Sequence, residues 1–338
     1  MKKLSYLFIL LLSGFSFLAS CEREEETSVT KAPAEAPRLV TIGTDERTGL
    51  SHVTGLSIAK VVGKKLEELG FRITVKSTIG PVFNLNTVRA GDFEFAVVRS
   101  DMLYQAVRGF GAWKDQGPQA DLLAVFTIHP ESVNLMAADD AGVKTIQDLR
   151  GKRVNIGKPG SRERLSSIHA LENAGIDLER DIQAEEAEAA DAPGMLQEGR
   201  IDAFFYTAEH PNDNIRTATT GKRKVHFVPI ADVRRLLLRF PYYIRTKIPV
   251  KFYPGAANLE DVETIGYKIS LVASAKAPNK LVSSILGEVF DNIESFRGLH
   301  PAYQSLTKED MTEGMYQMIH RGALYYYMKN GYRLSCCF

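Results

Sequence analysis

The residues best placed to do chemistry lie between Ile146 and Ser167, in the stretch IQDLRGKRVNIGKPGSRERLSS. Arg153 to Gly157 is a short, apolar-centred run that reads as a buried strand. Lys158, Pro159, Gly160 and Ser161 form a turn cluster, and Arg162 to Gly175 reads as a helix. Ser161 fits the N-cap of that helix, with Arg164 at its third helical position. A strand that turns through Gly-Ser into a helix presents free backbone N–H groups and the positive end of the helix dipole. The chemistry on offer is capture of an anionic group such as a carboxylate. Arg164 adds a guanidinium that can fork a carboxylate in a way lysine cannot. The competing role for Arg164 is a surface arginine or a salt bridge. A nucleotide-binding loop is excluded. Five residues separate Gly151 from Gly157, and Pro159 follows Lys158 where that loop needs Ser or Thr.

Other candidates stand at strand ends. Thr44, Ser77-Thr78, Arg99-Ser100-Asp101 and His129-Pro130-Glu131 each close an apolar run, and small hydroxyl residues prevail among them. Such groups build a pocket for a polar ligand and supply no evident nucleophile and base. Tyr206 and Thr207 end a later run, where Tyr206 is either a cleft residue or core. Tyr242 and Tyr243 flank an entrance or simply pack. His129, Glu131 and His210 lack the spacing of a metal motif, GxSxG is absent and no cysteine is placed for nucleophilic chemistry. No catalytic residue, metal or cofactor is expected.

These residues need a framework, and the apolar periodicity supplies one. Strands are expected at Leu39–Thr44, Phe71–Lys76, Phe93–Val98 and Leu122–Ile128. Helices are expected at Leu56–Leu69, Val82–Ala90 and from Met102. Alternation of this kind implies an α/β fold with a parallel sheet, and ligands then bind beyond the carboxyl ends of the strands. Glu131–Ala138 reads as a fifth, crossing strand. A second unit follows, with strands at Ile182–Ala184, Ile201–Tyr206 and Val225–Ile230 and helices at Asp191–Glu198 and Ala231–Leu238. Gly266–Ala273 is a strong strand. Leu281–Phe296, Lys308–Gly314 and Gly322–Lys329 read as helical. The simplest topology is bilobed: two α/β domains with two hinge crossings, near Asn134–Ala138 and Thr264–Lys268. Residues 38–137 and 268–338 make lobe 1 and residues 138–267 lobe 2, with a pocket between them.

The 338 residues carry 42 basic and 41 acidic side chains, so no polyelectrolyte partner is implied and nucleic-acid binding is excluded. Lys2 and Lys3 precede a mostly apolar run, Leu4–Leu18, too short to span a bilayer. Leu18-Ala19-Ser20-Cys21 resembles the lipobox of bacterial lipoproteins, which implies acylation of Cys21 and removal of residues 1–20. Residues 21–37, charged and rich in Ala, Pro and Thr, read as a flexible tether. The folded part is thus expected in an extracytoplasmic space, lipid-anchored to a bacterial membrane.

In order and spacing, a set of short motifs resembles the solute-binding proteins of the TAXI family of TRAP transporters. They are TIGT at Thr41–Thr44, STIG at Ser77–Gly80 with Asn84-Leu85-Asn86, and Ser100-Asp101. LRGKRVNIG at Leu149–Gly157, Pro159-Gly160-Ser161 and DAFFYT at Asp202–Thr207 with His210-Pro211 follow. Pro241-Tyr242-Tyr243 and Leu299-His300-Pro301 complete the set. The resemblance covers the chain from Leu39 onward. It implies the periplasmic-binding-protein fold and capture of a small anionic solute, an amino acid or dicarboxylate such as glutamate. It also implies delivery to an ion-gradient-driven TRAP permease. The expected substrate contacts are Thr44, Arg47, Thr48, Ser77, Thr78, Asn84, Ser100, Asp101, Gly160, Ser161, Arg164, Tyr206, Thr207 and Tyr242. One segment departs from the family: Asp45–His52 is charged where a glycine- and threonine-rich turn and two tyrosines are usual, and Arg99 replaces a neutral residue. Arg47 or Arg99 in the cleft would favour an extra carboxylate; Asp45 or Glu46 would favour an amine. A receptor that docks a membrane sensor, or an enzyme on the same fold, are the alternatives.

Overall fold

A computed structural model describes residues 37–47, 49–315 and 319–334. The proposed signal segment, most of the tether with Cys21, Thr48, Cys336 and Cys337 lie outside the described residues.

The first apolar runs form the expected alternation. Strands β1 (Arg38–Thr44), β2 (Phe71–Ser77) and β3 (Phe95–Arg99) alternate with helices α1 (Leu50–Glu68), α2 (Pro81–Ala90) and α3 (Ser100–Arg108). The local chemistry fits. Pro81 opens α2 behind Gly80, which takes φ 130°, and Gly91 and Gly109 close α2 and α3 in the left-handed conformation. Helix α1 starts at Leu50, six residues before the expected Leu56, so Leu50-Ser51-His52 form its first turn.

Next comes β4 (Leu122–Ala138), one continuous strand where the sequence suggested two. Pro130 lies between the two expected runs, and proline gives no N–H to a ladder. Here Pro130 pairs with Lys268 where the register against the neighbouring strand shifts, so the missing donor is tolerated. Only Pro130 in this strand is not buried.

The second half of the chain contains β5 (Arg153–Asn155), α4 (Arg162–Asn173), β6 (Gln183–Glu185), α5 (Ala192–Gln197) and β7 (Ala203–Ala208). It continues with α6 (Asp213–Thr219), β8 (Val225–Val228), α7 (Arg234–Arg239) and β9 (Tyr243–Ile248). Strand β10 (Val262–Ser274) returns, and α8 (Asn279–Asp291), α9 (Ile293–Arg297) and α10 (Arg321–Lys329) finish the fold. The helix expected over Leu281–Phe296 breaks at Asn292, and Lys308–Gly314 holds only a short 3-10 turn at Asp310–Thr312.

The ten strands form one sheet in the order β2-β1-β3-β10-β4-β7-β5-β6, with β8 beside β4 and β9 beside β10. Strands β1–β3 are parallel, as are β5–β7. The long β4 and β10 run antiparallel to each other and to their neighbours. Both change partners midway: β10 leaves β9 at Tyr267 and meets β3 at Ile269, while β4 takes up β7 at Ser132. For β4 the change therefore falls just before the expected Asn134–Ala138.

Hydrophobic burial follows that division. One core draws on residues 40–128 and 269–334. Two others cover opposite faces of the sheet's other half and draw on residues 133–267. Each fully buried Val, Leu, Ile or Phe stabilises by roughly 1.5–3 kcal/mol, so both ends of the sheet contribute to the packing. Only β4 and β10 lie in both, and that gives the molecule its bilobed form.

Candidate functional site

The hydroxyls at the ends of β1 and β2 fasten turns. Thr44 Oγ1 lies 2.8 Å from His52 Nδ1 and 3.2 Å from the Lys76 carbonyl oxygen. Ser77 donates to the Asp45 carbonyl at 2.9 Å. Thr78 Oγ1 is 3.0 Å from the Thr44 carbonyl and 2.8 Å from Asn84 Oδ1. Asn84 is fully buried, and its Nδ2 has no partner among the described residues. Arg47 is exposed. This network sets the direction in which the chain leaves β1, and so places Asp45.

At the end of β3, Arg99 grips Asp101 with two bonds, Nε to Oδ1 at 2.8 Å and Nη2 to Oδ2 at 2.6 Å. Asp101 is fully buried and is spent on that pair. The same guanidinium lies 4.4 Å over the ring of Tyr267 on β10. Ser100 donates to the Tyr242 carbonyl at 2.9 Å and accepts from the Lys268 N–H at 3.2 Å, which ties the start of α3 to the opposite half of the sheet. The Tyr242 ring packs against Tyr104 on α3 at 5.3 Å and stacks on Tyr267. Burial pushes its phenol well above the usual range.

Tyr206 joins the core beside Phe204, with its hydroxyl accepting from Asn214 Nδ2 at 2.6 Å. Thr207 is fully buried, with Oγ1 3.0 Å from Ser166 Oγ, and pins β7 to α4. Alternation along β7 could not say which of these two faces a ligand.

The turn into α4 forms as the sequence suggests. Ser161 caps the helix and accepts from the Arg164 N–H at 3.1 Å. Gly160 takes φ 81°, a conformation that favours glycine. The N–H groups of Arg162 and Glu163 precede the first helical bond, from Leu165 to the Ser161 carbonyl, and have no backbone partner among the described residues. The Arg164 guanidinium pairs with Glu186, 2.6 Å off. Arg162, its side chain 47% exposed, reaches two carboxylates: Nε donates to Glu163 at 3.0 Å, and Nη1 is 3.4 Å from Glu131 Oε2. A cavity of about 490 Å³ lies between α3 and α4, lined by Arg99 and Asp101 on one side and Gly160, Ser161, Arg162 and Arg164 on the other.

Beside it, charges from both halves of the sheet converge. Glu131, on β4 just before its change of partner and only 7% exposed, sits 3.7 Å from Arg99 and 3.4 Å from Arg162. Asp45, just past β1, has a buried Oδ1 without a partner among the described residues. Burial, and then the charge of Glu131, raise its pKa to about 6. Burial and Glu131 also raise that of Glu209, just past β7. Sequence reading picked Ser161 and Gly160 but missed Arg162 and Glu209 as cleft residues. The available signal was position, since each directly follows a residue that ends a turn or strand.

His129 and His210 are buried, and burial holds both near pKa 3, so they are neutral. His210 Nδ1 bonds the Tyr253 hydroxyl at 2.7 Å. Among the described residues no group of three His, Cys, Asp or Glu side chains could hold a metal ion.

The sequence model of the NMT1-like family matches residues 42–331. A TctC solute-binding protein from Polaromonas superposes with a TM-score of 0.55 over 87% of this chain and 98% of that one, at 15% identity. The periplasmic aliphatic sulphonate binding protein SsuA from Escherichia coli gives a TM-score of 0.47 over 80% of each chain, at 18% identity. At these identities the likeness is one of fold, that of a bilobed, periplasmic-binding-protein-like α/β protein.

Proposed function

This chain belongs to the NMT1-like family, and from that premise we propose that it is an extracytoplasmic solute-binding protein that captures a small solute between two lobes for a membrane transporter. The observation that carries the proposal is the cavity of about 490 Å³ between α3 and α4. It is flanked by a buried carboxylate, Glu131, that reaches an arginine from each half of the sheet. Its size suits a small molecule. In this reading residues 38–137 with 268–338 form one closing lobe and residues 138–267 the other, and Cys21 carries the lipid anchor. The partner is a TRAP-type permease, as the resemblance to the TAXI proteins implies. No enzymatic step is proposed.

The solute carries a carboxylate. It docks at the N-terminus of α4, where the N–H groups of Arg162 and Glu163 and the Arg162 guanidinium converge. Of the fourteen substrate contacts expected from sequence, Gly160 and Ser161 stay as direct contacts. Thr44, Ser77, Thr78, Ser100, Asp101 and Thr207 shape the cleft from behind through the bonds described above. Titration calorimetry of Arg162→Ala and Arg164→Ala with a carboxylate-bearing solute tests this. Arg162→Ala is expected to weaken binding at least tenfold, and Arg164→Ala less than threefold, because Arg164 is held by Glu186. The opposite ranking would return the clamp to Arg164.

A further inference from the structure

We propose that a second cavity, separate from the cleft, is a binding site for a small oxyanion such as phosphate, received by His210, Lys247 and Lys251. The inference goes beyond the solute-binding reading and does not depend on it.

The cavity measures about 320 Å³ and shares no lining residue with the one between α3 and α4. Pro130 lies in its wall, whereas the next residue of β4, Glu131, reaches Arg99 and Arg162. Successive side chains of a strand leave opposite faces, so β4 separates the two cavities. On one side stand Lys247, near the end of β9, and Lys251 in the 3-10 turn Val250–Phe252. On the other stand Gln304 and Ser305, beyond α9. An occupant therefore touches both halves of the sheet.

The decisive group is His210. It forms part of the wall, is only 7% exposed, and its Nε2 is buried with no partner among the described residues. The Tyr253 hydroxyl already accepts the Asn212 N–H at 3.0 Å and lies 2.7 Å from His210 Nδ1. A phenol that accepts one bond serves best as the donor in the other. Nδ1 then accepts, and the ring, kept neutral by burial, carries its proton on Nε2. A buried donor without a partner is costly, and it persists where a ligand accepts from it.

The lysines supply the charge. Both are exposed, and among the described residues neither has an ion pair. Glu263 stands opposite Lys247 in the register of β9 and β10 without coming within ion-pair distance. Lys251 Nζ lies 5.0 Å over the Phe252 ring, which holds it at the cavity. The one carboxylate among these wall residues, Asp261, accepts the Val250 N–H at 3.0 Å. Two cations and a buried N–H donor thus face a single carboxylate that is already bonded, and the balance selects an anion. The Ser305 hydroxyl and the Gln304 amide add donors from the other half, and a tetrahedral oxyanion has acceptors for each.

The test is titration calorimetry of the purified full chain with inorganic phosphate, with sodium chloride at equal ionic strength as the blank. Saturable binding of one phosphate is expected. Replacing both lysines, Lys247→Ala with Lys251→Ala, is expected to weaken it at least tenfold, and His210→Phe likewise. If His210→Phe does not melt cooperatively, the double lysine variant decides alone. Arg162→Ala, in the cleft, is expected to leave phosphate affinity within twofold. Absence of saturable binding, an equal response to chloride, or unchanged affinity in the lysine variant or in a folded His210→Phe would overturn the proposal. So would loss of phosphate binding in Arg162→Ala, which would place the anion in the cleft. Each of these outcomes leaves solute capture to its own test.

Discussion

Asp45 is a residue whose charge works against the fold. Burial and the charge of Glu131 raise its folded pKa to about 6, above the ordinary value of 3.8. Between those values the folded protein binds a proton that the unfolded chain has released. Stability thus declines as pH rises through this window, and the loss is complete above about pH 6. Asp45→Asn removes that loss. At pH 7.5 the variant is expected to be more stable by about 1–2 kcal/mol, after allowing for partial exposure, and the two proteins should converge near pH 4. Urea unfolding at both pH values measures this. Equal stabilities at pH 7.5 would mean that a cation already neutralises the carboxylate. At this scale the sequence was half legible. The spacing of Ser161 and Arg164 gave the cap bond through the Arg164 N–H, because backbone geometry fixes it. It could not give the direction of the guanidinium, because Glu186, 22 residues away, decides that.

The elements that position the site are β4 and β10, and Gly266 on β10 lies tight against β4. A Cβ there would lie 2.5 Å from the Glu131 carbonyl oxygen and 3.0 Å from Thr246 Cγ2. Both strands would have to part where they change partners. Gly266→Ala is expected to destabilise by about 1–3 kcal/mol, the usual range for an overpacked site, seen as a lower urea midpoint. It should also weaken solute binding, since Glu131 moves with its backbone. An unchanged midpoint would show that the crossing is looser than drawn. Most elements were legible from periodicity because strands buried on one or both faces leave period-two or continuous apolar runs. Pro130 hid the unity of β4, since its tolerance depends on a register shift in a partner 138 residues away. Lys308–Gly314 looked helical and is mostly turn. There Asp310 and Thr307 bind each other through the Thr307 hydroxyl and the Asp310 carboxylate, a local bond that competes with helix.

At the scale of the whole molecule the account is one of closure. In the proposed function the halves of the sheet, each with its own core, close about the shared strands β4 and β10. In that reading a solute held at Arg162 favours the closed arrangement. Small-angle scattering is expected to show a smaller radius of gyration at saturating solute and no change in Arg162→Ala. The bilobed form was legible because α/β alternation repeats twice with an interruption. The solute was not, since it depends on which charges from distant strands meet at the crossing.

The central claim is that a small solute binds between the two halves, and a thermal-shift scan of the purified protein against a library of small carboxylates and amino compounds tests it most directly. The account predicts that at least one compound stabilises by about 2.7 kcal/mol at a hundred times its dissociation constant, and that Arg162→Ala loses the shift. A cooperative melt that no compound moves, or a shift that Arg162→Ala leaves intact, would contradict it.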